Sequence, residues 1–311
     1  MRLVLANIQR AGRPPMSMLN VQQARLFYEM SASILDLPEP RLARVEDLQI
    51  PMRDGQMVQA RLFAPSLRSD TQGLPTLVYF HGGGFTIGSI QTHNVLCREL
   101  ARIGHCAVVS VNYRLAPEHR FPIATNDAWD ALNWVSQSAR SLGLRANALA
   151  VGGDSAGGNL TIVTTMALRD KPATVPVLVQ FPLYPVVTLD ADWPSMREFA
   201  NGFLLTEEAM VYFGEGHAAS PGDYRSEPLN FPQEGMPPSL VTTASLDPLR
   251  DQGLAYVEKL KQAAVHVQHI SADGNIHGHI NIRQAIPSVQ TDVESYIRAL
   301  KIMLAEVTPA A

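Results

Sequence analysis

Cysteine is scarce in this chain: two thiols, Cys97 and Cys106, occur in 311 residues. They form no disulfide framework and no CxxC or Cys/His metal spacing, which points to packing residues in a reducing compartment. Positive charge is not in excess either. The formal net charge is −4, the wrong sign for a footprint on a phosphate backbone, so nucleic acid is not expected as a partner. Long apolar runs are also missing. VPVLVQFPLYPVV is broken by prolines and a glutamine and falls well short of the ~20 residues that a spanning helix needs. The apolar start of MRLVLANIQRAGRPP is cut by Asn7, Gln9 and Arg10, too soon for a secretory leader. These absences together predict a cytoplasmic protein with no membrane span. No internal repeat or low-complexity tract interrupts it.

What remains is a chain that is 46% apolar and only 17% charged, long enough for a large buried core. From about residue 75, short Val/Leu/Ile-rich runs alternate with helical patterns: TLVYF (76–80), AVVSV (107–111), LAVGG (149–153), PVLVQF (176–181), SLVTTA (239–244) and VHVQHI (265–270). That alternation predicts an α/β fold with six parallel strands between helices. DLQIPM and MVQARLFA, flanking a turn at RDG, add an antiparallel hairpin at one edge and bring the sheet to eight strands. Helical spacing is clearest at 124–138, where Ala124, Ala128, Ala131, Leu132 and Val135 share a face, and recurs at 250–264 and 289–304. Two segments break the alternation, 1–45 and 188–225, the second far longer than a crossover requires. Val21, Ala24, Phe27, Tyr28, Ile34 and Leu35 recur at helical spacing in the first; in the second, TEEAMVYF starts with a capping signal at Thr206 and Ala209. The expectation is a small helical cap from 1–45 and 188–225 over a core from 46–187 and 226–311.

DSAGG follows the apolar run ALAVGG, so Gly153, Ser155 and Gly157 form GxSxG between a strand and a helix. A turn sharp enough to expose a serine hydroxyl needs minimal neighbours, and the following helix aims free amides at it. A bare helix cap would need the same serine. Nucleophilic chemistry needs more: a base, oriented by a third group. Asp247 stands at the C-terminal end of the run 239–244, where open α/β sheets keep their sites. Asp251, its rival, falls in the first turn of the next helix, a common place for a dipole partner. His277 and His279 follow the last strand in DGNIHGHI, and the order Ser, Asp, His is that of α/β-hydrolases. HGGGF (81–85) follows the strand TLVYF with unshielded amides suited to an oxyanion, and neither GxxxxGK[ST] nor GxGxxG accompanies it.

With HGGGF and GDSAGG, the stretches YRLAPEHRFPIA (113–124), GFLLT (202–206), DPLRDQG (247–253) and HG at 277 and 278 resemble the hormone-sensitive lipase family of α/β-hydrolases, the family IV carboxylesterases, over nearly the whole chain. The resemblance implies Ser155 as nucleophile, His277 as general base and then acid, and Asp247 as its orienting acid. The amides of Gly83, Gly84 and Ala156 would form the oxyanion hole. It also implies a two-part cap, short-chain acyl esters as substrates, no cofactor, and a homodimer paired through the edge strand VHVQHI. Two positions depart from the pattern: Gln252 replaces a Glu, and His279 replaces a Phe. The adjacent histidines lack a third ligand at metal-site spacing, so no metal is expected. His279 is expected at the substrate pocket or in solvent, and Phe203 and Leu204 are candidate acyl-pocket residues. His81 is expected to brace the glycine loop, Asp154 the local backbone, and Arg114 and Glu118 to be structural. A ligand receptor on a hydrolase scaffold is the rival reading, as is an intact triad acting on an amide, lactone or thioester.

Overall fold

The computed structural model describes residues 1–10, 12, 14–67, 73–145, 147 and 149–307, with only the backbone of residues 2, 3, 8 and 9. Residues 11 and 13 of the expected cap, and 68–72, 146, 148 and 308–311 of the expected core, lie outside the described residues.

Eight strands form one sheet: β1 (Arg44–Pro51), β2 (Met57–Ala64), β3 (Thr76–Phe80), β4 (Ala107–Val111), β5 (Leu149–Asp154), β6 (Val177–Leu183), β7 (Ser239–Leu246) and β8 (Val267–Ile276). Their order is β1-β2-β4-β3-β5-β6-β7-β8. Only β2 runs against its neighbours, pairing antiparallel with both β1 and β4; the other pairings are parallel. The eight-stranded, mostly parallel α/β sheet read from the alternation is observed, in the α/β-hydrolase fold that the resemblance implied.

Five helices cover the sheet: α3 (Asn94–Gly104), α4 (Ile123–Ser138), α5 (Ala156–Asp170), α8 (Arg250–Gln262) and α9 (Ser288–Val307). Every residue of β3 and β4 is buried, the mark of strands packed on both faces. Successive side chains divide between the faces. Leu77 and Tyr79 join a cluster with Leu96 and Leu100 of α3 and Val293 and Ile297 of α9. Val78 and Phe80 join another with Ala128, Leu132 and Val135 of α4 and Leu160 of α5.

The remaining helices are α1 (Arg2–Arg10) and α2 (Val21–Leu35) before the sheet, and α6 (Pro194–Glu198) and α7 (Glu207–His217) between β6 and β7. Arg44 and Val45, within the range 1–45, belong to β1. Thr206 caps α7 by accepting from the Ala209 amide at 3.2 Å, but Ala209 has no side chain to reciprocate, so the capping box is only half formed. The full box is at Asn20 and Gln23, at the start of α2. The apolar spacing found the helix α2 but not its buried face. Its buried residues are the small Ala24 and Ala32, which let it lie close on the loops below, while Phe27 is 42% and Ile34 61% exposed.

Candidate active site

Three parallel strands each end one residue before a group of interest. Ser155 follows β5, Asp247 follows β7 and His277 follows β8, so all three stand along the C-terminal edge of the sheet, where strand ends open onto a crevice. His277 Nε2 lies 2.8 Å from Ser155 Oγ, and His277 Nδ1 lies 2.8 Å from Asp247 Oδ2. The Asp247 side chain is wholly buried, and its other oxygen accepts the Leu249 amide at 2.8 Å. That second bond fixes the carboxylate plane, leaving one oxygen for the imidazole. Ser155 and His277 are each 8% exposed.

The elbow that presents Ser155 is held in an unfavourable backbone conformation, with φ +56°. Glycine is obligatory beside it. A Cβ on Gly157 would run into the Phe80 carbonyl, and one on Gly153 into the carbonyls of Gly157 and Phe80. These obstacles are backbone, which cannot move aside without unmaking the junction of β3 and β5.

The glycine loop HGGGF is oriented one peptide at a time. The Gly82 carbonyl accepts from His81 Nδ1 at 2.8 Å; because a trans peptide is planar, the Gly83 N–H then points the opposite way. The Gly83 carbonyl accepts the Thr86 and Ile87 amides at 3.0 and 2.9 Å, which turns the Gly84 N–H by the same logic. The amides of Gly83, Gly84 and Ala156 have no acceptor among the described residues. Asp154 secures the base of the loop. Its Oδ1 accepts from the Gly82 amide at 2.9 Å and the Tyr79 hydroxyl at 2.8 Å, and lies 3.2 Å from His93 Nε2. Burial pushes this carboxyl up, but His93 and the Tyr79 hydrogen bond outweigh it and hold the group below the usual carboxylate range.

The other expected residues separate cleanly. Asp251 accepts the Ser195 amide at 2.8 Å and anchors α6, well apart from the imidazole's partner. Gln252 is buried and accepts the Val187 amide at 2.9 Å, a role an amide oxygen serves without charge. Arg114 pairs with Asp127 and Asp54, whereas Glu118 pairs with Arg25 of α2. His279 corrects one half of the expectation made of it: it is fully buried rather than in solvent, with its ring nitrogens 3.0 Å from the Ile276 carbonyl and 3.2 Å from the Tyr296 hydroxyl. A 3-10 turn at His279–Asn281 buries the side chain. Both histidines are thus engaged within the protein rather than turned together toward a metal. Phe203 is half-buried against Phe199, ring centroids 5.0 Å apart, while Leu204 is 44% exposed. A cleft of about 480 Å³ beside the outer face of α7 is lined by Ser17, Glu208 and Val211, among others, and none of Ser155, Asp247 or His277 borders it.

Sequence reasoning missed Tyr184, the residue following β6, whose ring meets His277 edge-on at 4.8 Å. Its only signal was its place past a strand end. His217, at the end of α7, stacks on Phe85 of HGGGF at 3.9 Å. Burial pushes the imidazoles of His217 and His279 down to about 4 and that of His81 to about 3. In the unfolded chain all three would take up protons near pH 6.5. Between pH 6.5 and about 4 the unfolded state therefore binds more protons than the folded one, and stability falls as the pH is lowered. The melting temperature is expected to drop across this window, and less steeply for His217→Phe, which keeps a ring on Phe85. Parallel pH curves for the two proteins would remove His217 from the account.

A family model described as alpha/beta hydrolase fold matches residues 77–281. An ethyl acetate hydrolase of Pseudomonas putida is 33% identical over 292 residues, covering 92% of each chain. Esterase LipI of Mycobacterium tuberculosis is 35% identical over 284 residues, covering 86% of each. A hyperthermophilic esterase from the archaeon Pyrobaculum calidifontis superposes with a TM-score of 0.90 at 37% identity, over 97% of both chains. By this family match, these relatives and this superposition, the chain belongs to the α/β-hydrolase fold family, among its hormone-sensitive lipase-like members.

Proposed function

We propose that the protein is a serine carboxylesterase that hydrolyses short-chain acyl esters through an acyl-enzyme intermediate. The observation that carries the reading is the unbroken relay from Ser155 Oγ through His277 to Asp247, at 2.8 Å on each side of the imidazole. Relatives named ethyl acetate hydrolase and esterase support the bond type.

In this mechanism His277 Nε2 takes the Ser155 proton as Oγ attacks the ester carbonyl carbon, while Nδ1–H stays bonded to Asp247. The carbonyl oxygen gains the negative charge and is held by the amides of Gly83, Gly84 and Ala156. The imidazolium returns its proton to the departing alcohol. Water then attacks the acyl carbon, giving its proton to His277, and the acid leaves as Ser155 recovers its hydrogen.

The reading extends to the surroundings. The helices α1, α2, α6 and α7 form the cap, with Phe203 and Leu204 bordering the acyl chain. The edge strand β8 is the surface through which two copies would pair. The two free, buried cysteines favour a cytoplasmic setting, and among the described residues no helix is long and apolar enough to cross a membrane.

An acyl-ester series of rising chain length, assayed with and without an organophosphate, tests the proposal. Expected is stoichiometric labelling of Ser155, abolished turnover after labelling, and kcat/KM falling as the acyl chain lengthens. Failure to label would favour a binding protein on this scaffold; preference for amides or lactones would replace the ester assignment.

A further inference from the structure

The helix α2 makes few apolar contacts for a roof, yet it is tied by polar groups to both loops that serve Ser155. On one side, Arg25 Nε donates to the Thr86 carbonyl and Nη2 to the Ala116 carbonyl, each at 2.9 Å. Its outer nitrogens also hold the Glu118 carboxylate at 2.9 and 2.7 Å. Glu29, one turn on, accepts from Ser89 Oγ at 2.8 Å. On the other side, Tyr28 accepts from Asn281 Nδ2 at 3.3 Å, and the Leu35 carbonyl accepts the Gln284 amide at 2.9 Å. Asp36, at the helix end, pairs with the fully buried Arg283 at 2.7 and 2.9 Å. One rigid element thus joins the glycine loop to the loop that follows His277.

Thr86 is the critical junction. Its amide and hydroxyl donate to the Gly83 and Gly84 carbonyls at 3.0 and 3.1 Å, and the first of these bonds fixes the peptide plane that carries the Gly84 N–H. The next link is Ala116, whose amide donates to the Phe85 carbonyl at 2.8 Å. A guanidinium spanning the Thr86 and Ala116 carbonyls therefore ties these two loops together at once, which a single ammonium cannot do.

We propose that Arg25 is a positioning residue, through which docking of α2 sets the Gly84 amide for the oxyanion. The inference rests on the esterase reading and adds to it that docking of α2 controls turnover. Interactions with an oxyanion strengthen in the transition state, so loosening them lowers kcat rather than raising KM.

The test is steady-state hydrolysis of a short-chain ester by Arg25→Met, Arg25→Lys and, in parallel, Ser155→Ala. For Arg25→Met, kcat should fall about 10- to 100-fold, the cost of misplacing reacting groups by a fraction of an ångström to one ångström, with KM nearly unchanged. Methylguanidinium, added below denaturing concentrations, should restore part of that kcat, and Arg25→Lys should lie between. Wild-type kcat in Arg25→Met, or a higher KM at constant kcat, would overturn the inference while an inactive Ser155→Ala left the esterase reading standing. Full activity in Ser155→Ala would instead overturn the reading beneath it. Should Arg25→Met fail to fold, Arg25→Lys decides: a lowered kcat at constant KM supports the tie, and a wild-type kcat removes it.

Discussion

Ser155→Ala is expected to lower kcat for a short-chain ester by about 10⁵- to 10⁶-fold, the scale seen when a nucleophile that works as a unit with its base is removed. The fold should survive. Ser155 Oγ has His277 as its partner, whereas the elbow is held by backbone: the Ser155 amide donates to the Leu183 carbonyl at 2.9 Å, and the Ser155 carbonyl accepts the Asn159 and Val186 amides at 3.0 and 3.2 Å. None of these needs the hydroxyl. Alanine at φ +56° is strained no more than serine, since both carry a Cβ. The melting temperature should therefore stay near that of the wild type while labelling by an organophosphate disappears. Undiminished turnover in a folded variant would end the nucleophile assignment.

The second large effect separates two carboxylates four positions apart in the chain. Asp247→Asn should cost about 10⁴-fold in kcat, because an amide facing Nδ1 can donate its own hydrogen and so favours the wrong imidazole tautomer. Asp251→Asn should change kcat by less than about threefold, since Asp251 serves the Ser195 amide and Arg250 rather than His277. Its effect should be on stability, through the anchoring of α6. Both variants are measured against one ester at one pH, with circular dichroism to confirm folding. The opposite ranking would transfer the orienting role to Asp251.

Much of the site could be read from order alone. GxSxG between a strand and a helix, HGGGF after a strand, and an acid and a histidine past later strands each carry their own reason in the chain, because strand ends and glycines are local signals. Where the reading fell short, the cause was contact between distant segments. β8 continues through Ile276, six residues beyond the expected 265–270: pairing with β7 runs to Ala272 and resumes at Ile276 opposite Leu246, with Asp273, Gly274 and Asn275 in an irregularity between them. His279 was expected at the substrate pocket or in solvent, yet the turn that begins there brings its ring to the Tyr296 hydroxyl on α9. Phe27 and Ile34 recur at core spacing on α2 but face outward, since the helix meets polar loops and not the sheet.

The chain by itself determined the alternating α/β fold, the elbow and the residue types of a hydrolytic relay, for these follow from spacing within a few residues. The tertiary structure alone decided that Asp247 and not Asp251 meets the imidazole, that His279 is a buried brace, and that Arg25 spans the Thr86 and Ala116 carbonyls. The physical reason is that a hydrogen bond is settled by position to within tenths of an ångström, and such positions arise only when strands and helices far apart in the chain pack against one another.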